Sequence, residues 1–423
     1  MAPARELKVS LFHINFIWFG LSFLWGWLLT VLLPLKLLSA VPQVSGGTYL
    51  TVATVAGSLT AMLWQPVAGW ASDHYRSRWG RRRPFVLAGT AVAVPSLLAM
   101  SRATSPPGIA VAFLFAGLGA ATAQAAAYAF IPDLVPAEER GRASAAMGAA
   151  QLAGGLLGPA LAGAFAGQGR SDLAAGVIAV VLLTTVGYTA LITPDPAPDG
   201  TAKDSGSSDS PGRAINAKWA VNAFRLDPLG HKGFLLALAS RFLILLGFTS
   251  WSPFNQLFLK EIAGAADPST SSALFTFAVA AGALLAVYPS GLAADRYGGK
   301  RVIYAAGIVA AAAFFLLYFL GGLRSSLIFG AFAGLGYGMF LPAGWALLVD
   351  LIPGDEPARF LGLANIVNVV SQLTGPAMAG LFVYRLNSLR PALGHDLLFT
   401  LVPVYIVLGL VVVKKVEIPA RQK

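Results

Sequence analysis

Residues Gly69 to Pro84 read G-W-A-S-D-H-Y-R-S-R-W-G-R-R-R-P. Asp73, Arg76, Arg78, Arg81, Arg82 and Arg83 crowd together here, in a chain of 423 residues of which only 12% are charged. Long apolar runs lie on either side. A fainter copy, G-L-A-A-D-R-Y-G-G-K-R, runs from Gly291 to Arg301 and is again bracketed by apolar runs. Both copies keep Gly, three residues, Asp, and then Tyr two places on. The copying extends beyond the loops. Gly117 matches Gly334, Asp133 matches Asp350 and Pro159 matches Pro376, each at an offset of 217, while the two loop aspartates are 222 apart. A near-constant offset over whole helices implies two related halves, and in membrane proteins such repeats place a site at their interface near mid-membrane.

Composition sets the class. The chain is 56% hydrophobic with a mean hydropathy of +0.69, whereas soluble domains are roughly 45–50% apolar and about 25% charged. Most helices must therefore face lipid. About 20 apolar residues cross a bilayer core, and on that template twelve spans are expected near 11–38, 48–72, 85–103, 108–131, 143–167, 173–193, 233–257, 270–294, 301–321, 325–350, 359–384 and 396–414. Asp195 to Arg213 is Pro, Gly, Ser and Asp with almost nothing apolar, a flexible linker, and Ala214 to Leu226 regains the periodicity of a short surface helix. The domains expected are a six-helix bundle over 1–193, a cytoplasmic linker over 194–231 and a second six-helix bundle over 232–423. There is no cysteine, which excludes disulfides and thiolate chemistry. The four histidines show no ligand spacing and no phosphate-binding G-x-x-x-x-G-K-[ST] loop exists, so the chain is read as neither an enzyme nor an ATP-driven pump, with no cofactor. The G-x-G-x-G from Gly334 to Gly338 lies inside an apolar run and reads as close helix packing.

The net charge of +11 would suggest nucleic acid in a soluble protein. Here it reads as topology, with no nucleic-acid partner. Placing the N-terminus inside puts most of the 30 Lys and Arg on one face, so both termini and the linker are expected on the cytoplasmic side of a multi-pass plasma-membrane protein.

The Gly-x-x-x-Asp loops at Gly69 and Gly291 resemble the signature loops of the major facilitator superfamily, after its second and eighth helices. Ser77 to Phe85, S-R-W-G-R-R-R-P-F, resembles the sucrose-transporter and glycoside-cation symporter branch, with weaker support from Phe19-Gly20. The resemblance implies an all-α integral membrane protein with twelve transmembrane helices in two pseudo-symmetric six-helix bundles. It also implies a central cavity lined by helices one, four, seven and ten, with five, eight and eleven beside them. The branch would place a coupling carboxylate in the first helix. This sequence has none there, and no Asp or Glu well inside any span.

Two sets of residues could carry transport chemistry. Charges at the cytoplasmic helix ends recur in each half, and a network that forms in one conformation and breaks in another can bias a two-state equilibrium. The gating set is Gly69, Asp73, Arg81, Arg82, Asp133, Arg140, Asp295, Arg296, Lys300, Asp350 and Arg359; the competing reading is helix caps and positive-inside topology. Polar residues in spans are costly and tend to face the bundle interior. Asn15, Trp18, Ser22 and Trp25 form one stripe, Gln124 and Tyr128 another, and Asn365, Asn368 and Gln372 a third. The substrate-binding set is Ser22, Trp25, Gln124, Tyr128, Gln151, Trp251, Asn255, Gln256, Trp345, Asn368 and Gln372. Amides donate and accept, and aromatic faces stack on a sugar's C–H face; single tryptophans can instead be interfacial anchors, the reading favoured for Trp18. Arg241, a cation inside a span, and His13, at the start of the first, are the candidates for coupling; snorkelling of Arg241 to the surface is the alternative.

These residues point to a monomeric secondary transporter in the lipid bilayer, moving a small neutral polar substrate, a sugar or glycoside, by alternating access, with weak or absent proton coupling. An efflux antiporter for amphipathic drugs, and a non-transporting membrane receptor or scaffold, are the alternatives.

Overall fold

The computed structural model describes residues 10–41, 43–166, 170–195, 223–225, 227, 230–251, 258–259, 267–320, 322–353, 356–387 and 393–417. Among them all regular structure is helical. The elements are α1 (Leu11–Trp27), a π-helical turn (Leu28–Leu32), α2 (Leu33–Ala40), α3 (Gln43–His74), α4 (Arg83–Arg102), α5 (Pro106–Tyr128), α6 (Phe130–Leu134), a 3₁₀ turn (Ala137–Glu139), α7 (Arg140–Ala166) and α8 (Ser171–Ile192). After the linker follow α9 (Lys232–Trp251), α10 (Pro268–Tyr297), α11 (Gly299–Leu320), α12 (Leu323–Leu351), α13 (Pro357–Asn387) and α14 (Leu393–Lys414). With α1–α2 and α5–α6 each counted as one pass, these are the twelve helices of the expected fold. Nine stretches among the described residues are long and apolar enough to cross a membrane; α7, α13 and α14 complete the set. Most ends fall within about three residues of the hydropathy reading. The linker and its surface helix lie almost wholly outside the described residues.

Local chemistry explains the irregularities. Pro34 opens α2 and has no N–H for the carbonyl four residues back, and the chain accommodates it by widening to a π turn just before it. Pro159 and Pro376, one repeat apart, interrupt α7 and α13 at matching positions. Without water to drive apolar association, membrane helices pack by letting backbones approach. Gly334 and Gly338, one turn apart, lie against the backbone of Val279 and Ala283 on α10, while Gly336 between them lies against Ala306 and Ala310 on α11. The G-x-G-x-G run is therefore a two-sided packing seam, as expected.

The chain divides into two compact units. One comprises Met1–Pro136, Ala150–Leu226 and Ile352–Ile366; the other comprises Ala137–Ala149, Asp227–Leu351 and Val367–Lys423. The opening turns of α13, from the second repeat, thus belong to the first unit, and the opening turns of α7, from the first repeat, to the second. In the first unit α4 packs on α5, α3 on α5 and α1 on α8 around Trp18, Leu21, Leu24, Trp27 and Phe113. In the second, α12 packs on α10 and α11, and α9 on α14. There an apolar core gathers Trp251, Phe258, Phe275, Phe314 and Leu317.

Candidate functional site

The first unit joins the charged loop to the start of α13. Asp73 stands in the last turn of α3. Its carboxylate accepts the backbone N–H of Ala358 at 3.3 Å and of Arg359 at 2.9 Å. The first N–H groups of any helix lack intrahelical partners, and an anion there meets both the free donors and the positive end of the helix dipole. Asp73 is thus the N-terminal cap of a helix nearly 300 residues away. It can reach because Gly69, one turn earlier, has no side chain: a Cβ there would run into the Ala358 carbonyl. Arg359 is buried against the carbonyls of Ala223 and Arg225 and pairs with Glu356.

Arg82 supports Asp73 from beneath. Its Nη1 lies 2.7 Å from the Asp73 carboxylate, its Nε 2.9 Å from Asp133, and Nη1 also donates to the Ser72 hydroxyl at 3.0 Å. Only 1% of Arg82 is exposed. Burial alone would pull its pKa down, but Asp133 and Asp73 outweigh it and hold the guanidinium above its ordinary value. Arg81 reaches Asp133 from the more exposed side at 3.0 Å. Asp195, at the start of the linker, accepts the N–H of Arg82 at 2.6 Å and of Arg83 at 2.8 Å, capping α4, while Arg83 donates to the Thr193 carbonyl at 2.8 Å.

The second unit repeats the cap. Asp295 accepts the N–H of Gly141 at 2.6 Å and of Arg142 at 3.0 Å, at the start of α7. Gly291, the counterpart of Gly69, meets the Gly141 carbonyl. Each capped residue is 217 positions from its counterpart, as the repeat requires. Arg140 pairs with Asp350 at 3.2 Å. The copy is weaker, however. Among the described residues no buried arginine stands where Arg82 does, and Arg142 approaches Asp295 only to 3.5 Å from a half-exposed position. Two residues expected in this network stand elsewhere. Lys300 donates to the carbonyls of Lys414 and Val416 at 2.8 and 2.9 Å, closing the end of α14 where free carbonyls attract a cation. Arg296 lies over its neighbour Tyr297 at 5.2 Å.

The polar interior residues fall into two groups. In the first unit the Trp18 ring lies tilted against that of Tyr128 with centroids 4.3 Å apart, the Tyr128 hydroxyl donates to Asn365 at 3.3 Å, and Asn365 donates to Gln65 at 2.5 Å. Trp18 is 1% exposed, so it is an interior residue and not the interfacial anchor expected. Gln65 was missed because a single glutamine beside Trp64 and Pro66 gives no stripe. Ser22, Trp25, Gln124 and Gln151 are half-buried, with Trp25 against Gly117. In the second unit Arg241 is buried. Its Nε donates to Asn368 at 2.9 Å and its guanidinium lies 4.6 Å from the Trp345 ring and 5.5 Å from that of Phe340. It therefore does not snorkel. Trp251 gives its ring to Phe258, Phe275 and Phe314 and stands in the apolar core. Gln372 is exposed. Asn255 and Gln256 lie outside the described residues. His13 meets the Tyr188 hydroxyl at 2.7 Å, tying α1 to α8. Replacing Asn368 by Leu is expected to cost about 1.5–3 kcal/mol, the range for a hydrogen bond to a charged group, read as a lower melting temperature. Asn368→Asp should show no such loss.

The residues from 16 to 263 and from 242 to 422 match the family model of the Major Facilitator Superfamily. The chain belongs to that superfamily. It is accordingly a multi-pass membrane protein. Human solute carrier family 45 member 3 is 31% identical over 123 residues, covering 27% of this chain and 22% of that protein, so the chain matches only about a fifth of that relative's length. The sucrose transport protein SUC4 of Arabidopsis thaliana is 30% identical over 106 residues, 24% of this chain and 20% of the relative. Multidrug resistance protein 2 of Bacillus subtilis is 22% identical over 348 residues, 82% of each. The crystal structure of the human organic anion transporter MFSD10 superposes with a TM-score of 0.74 at 16% identity, covering 98% of this chain and all of that one. This last likeness speaks to fold alone.

Proposed function

We propose that this member of the superfamily moves a sugar or glycoside by alternating access, with the termini and linker cytoplasmic. The observation that carries this reading is the run Trp18–Tyr128–Asn365–Gln65, in which aromatic faces and neutral amides adjoin within the membrane helices. Amides can exchange their mutual hydrogen bonds for hydroxyl groups of either sense, and aromatic rings favour the apolar face of a pyranose. The similarity to a sucrose transport protein points the same way. Ser22, Trp25, Gln124, Gln151, Trp345 and Asn368 extend the proposed set. The longer similarity to a multidrug resistance protein favours a second reading, efflux of amphipathic drugs. Against that reading for cationic drugs stands the buried positive charge of Arg241.

Thermal stabilisation separates the two, because a ligand that binds the folded state stabilises it in proportion to its concentration over Kd. Disaccharides and aryl glycosides at millimolar concentration are expected to raise the melting temperature and cationic dyes to leave it unchanged. The reverse result favours efflux. Single cysteines in this cysteine-free chain test topology: an impermeant external reagent should fail to modify a cysteine at position 205.

Coupling is expected to be weak. A proton symporter needs a group whose charge changes within the cycle, and among the described residues no acid stands well inside a span; Asp73, Asp133 and Asp350 lie at helix ends, with Asp73 and Asp133 tied to Arg82 and Asp350 to Arg140. His13 is engaged with Tyr188. Uptake into proteoliposomes should change less than about twofold between pH 5.5 and 7.5, since the proposed set contains neither a carboxylate nor an imidazole. Concentrative uptake that collapses with a protonophore would show otherwise.

A further inference from the structure

Outside the proposed transport machinery lies a groove of about 480 Å³ between the charged loop and the outer face of α4. Tyr75, Ser77, Arg78 and Trp79 form its loop wall, and Pro84, Leu87, Ala88 and Ala91 its helix wall. The helix residues are spaced 3, 1 and 3 apart, one face of α4. Leu87, Ala88 and Ala91 on that face are exposed, and α4 is a membrane-crossing helix, so the face turns to acyl chains. Trp79 is 58% exposed and Tyr75 44%, amphipathic rings at the level where helix meets loop, the depth of lipid headgroups. Arg78 is exposed and lies 5.9 Å from the Trp79 ring, and Arg76 is exposed two residues before it.

The loop wall has a defined shape. Ser77 accepts the N–H of Trp79 at 3.2 Å and donates to the Gly80 carbonyl at 2.7 Å. Gly80 turns at φ +98, a conformation that side chains other than glycine's resist. Tyr75 is held edge-on to Phe85 at 5.5 Å. The three features adjoin in the order a phospholipid presents them: a cation outermost, aromatic rings at the boundary, and an apolar helix face running inward. We propose that this groove seats one anionic phospholipid, its phosphate at Arg78 and an acyl chain along Leu87 and Ala91. Charge complementarity selects the anionic headgroup over a zwitterionic one, because a net negative lipid is drawn to a basic cluster at the membrane surface, and the apolar wall selects a lipid over a free anion. The inference is independent of the sugar reading.

The full-length protein, purified in detergent, would be titrated with phosphatidylglycerol, phosphatidylcholine and inorganic phosphate, and retained lipid counted by native mass spectrometry. The wild type is expected to retain one phosphatidylglycerol at least tenfold more strongly than phosphatidylcholine. Arg78→Gln with Trp79→Ala should abolish that preference, and Arg78→Lys should keep part of it. Both positions are exposed, so the melting temperature without lipid should not move, and this control separates lost binding from lost folding. Phosphatidylglycerol brominated along its chains should quench the wild type more than the Trp79→Phe variant. Equal retention of the two lipids, or a preference that survives the double variant, overturns the proposal. Inorganic phosphate displacing the lipid at equal concentration would overturn its lipid part, leaving an anion site alone.

Discussion

Arg82→Met is expected to destabilise the protein by about 3–5 kcal/mol, the cost of stranding a buried charge whose partner has been removed. Arg82 is almost wholly inaccessible and stands between two carboxylates, Asp73 at 2.7 Å and Asp133 at 2.9 Å. Methionine fills much of the same volume but leaves two negative groups facing each other. The neighbouring Arg81→Gln removes a pair that is about a quarter exposed on the arginine side and should cost no more than about 1 kcal/mol. Thermal melting in one detergent compares them directly. The decisive arm is rescue: adding Asp73→Asn and Asp133→Asn to Arg82→Met should recover most of the lost stability, since uncharged amides no longer need the cation. Equal effects of Arg81→Gln and Arg82→Met, or no rescue, would mean that the measured loss comes from packing.

Asp73→Asn should reduce transport at least tenfold, and Asp295→Asn only about two- to fivefold. Both asparagines can still accept backbone N–H groups, so what each loses is charge. Asp73 loses two charge-assisted hydrogen bonds and its pair with Arg82. Asp295 loses two such bonds and a loose approach by Arg142 at 3.5 Å. A hydrogen bond to a charged group contributes about 1.5–3 kcal/mol, and 1.4 kcal/mol moves a two-state ratio tenfold. The α3–α13 cap should therefore govern the population more than the α10–α7 cap. Cysteine accessibility on either side of the membrane should shift in opposite senses, further for Asp73→Asn. Identical shifts would show that Arg82 adds nothing to the Asp73 cap.

Hydropathy alone located the twelve helices, because bilayer thickness imposes one length on all of them and the pattern needs no knowledge of partners. The repeat offset of 217 paired Asp133 with Asp350 and the start of α7 with that of α13, so the existence of matched caps was legible. Their inequality was not. Arg81, Arg82 and Arg83 are identical letters in a row, and only the turn at Gly80 and the cap from Asp195 decide which of them points inward. Asp195 itself looked like the first residue of a polar linker, since its partners lie more than 110 positions away. Lys300 and Arg296 were placed in the network by adjacency to Asp295, but a lysine beside the open end of α14 finds backbone carbonyls nearer than any carboxylate. Trp18 was assigned to the interface from its distance to the helix end; the ring that buries it, Tyr128, is on another helix and leaves no mark in the local sequence.

The borrowing of helix ends between repeats has a consequence for synthesis. A chain leaves the ribosome from its N-terminus, at about 5–20 residues per second. When α3 and α4 enter the membrane, the donors that Asp73 will cap have not been translated, and they arrive only with Ala358 and Arg359. At that speed the interval is on the order of tens of seconds. Throughout it the Asp73–Arg82–Asp133 cluster can be complete but has no helix to hold, whereas α7 is made early and waits for Asp295. Nascent chains halted before Pro357 should therefore remain susceptible to protease near the Gly69–Pro84 loop, and become resistant once translation has carried the start of α13 into the membrane.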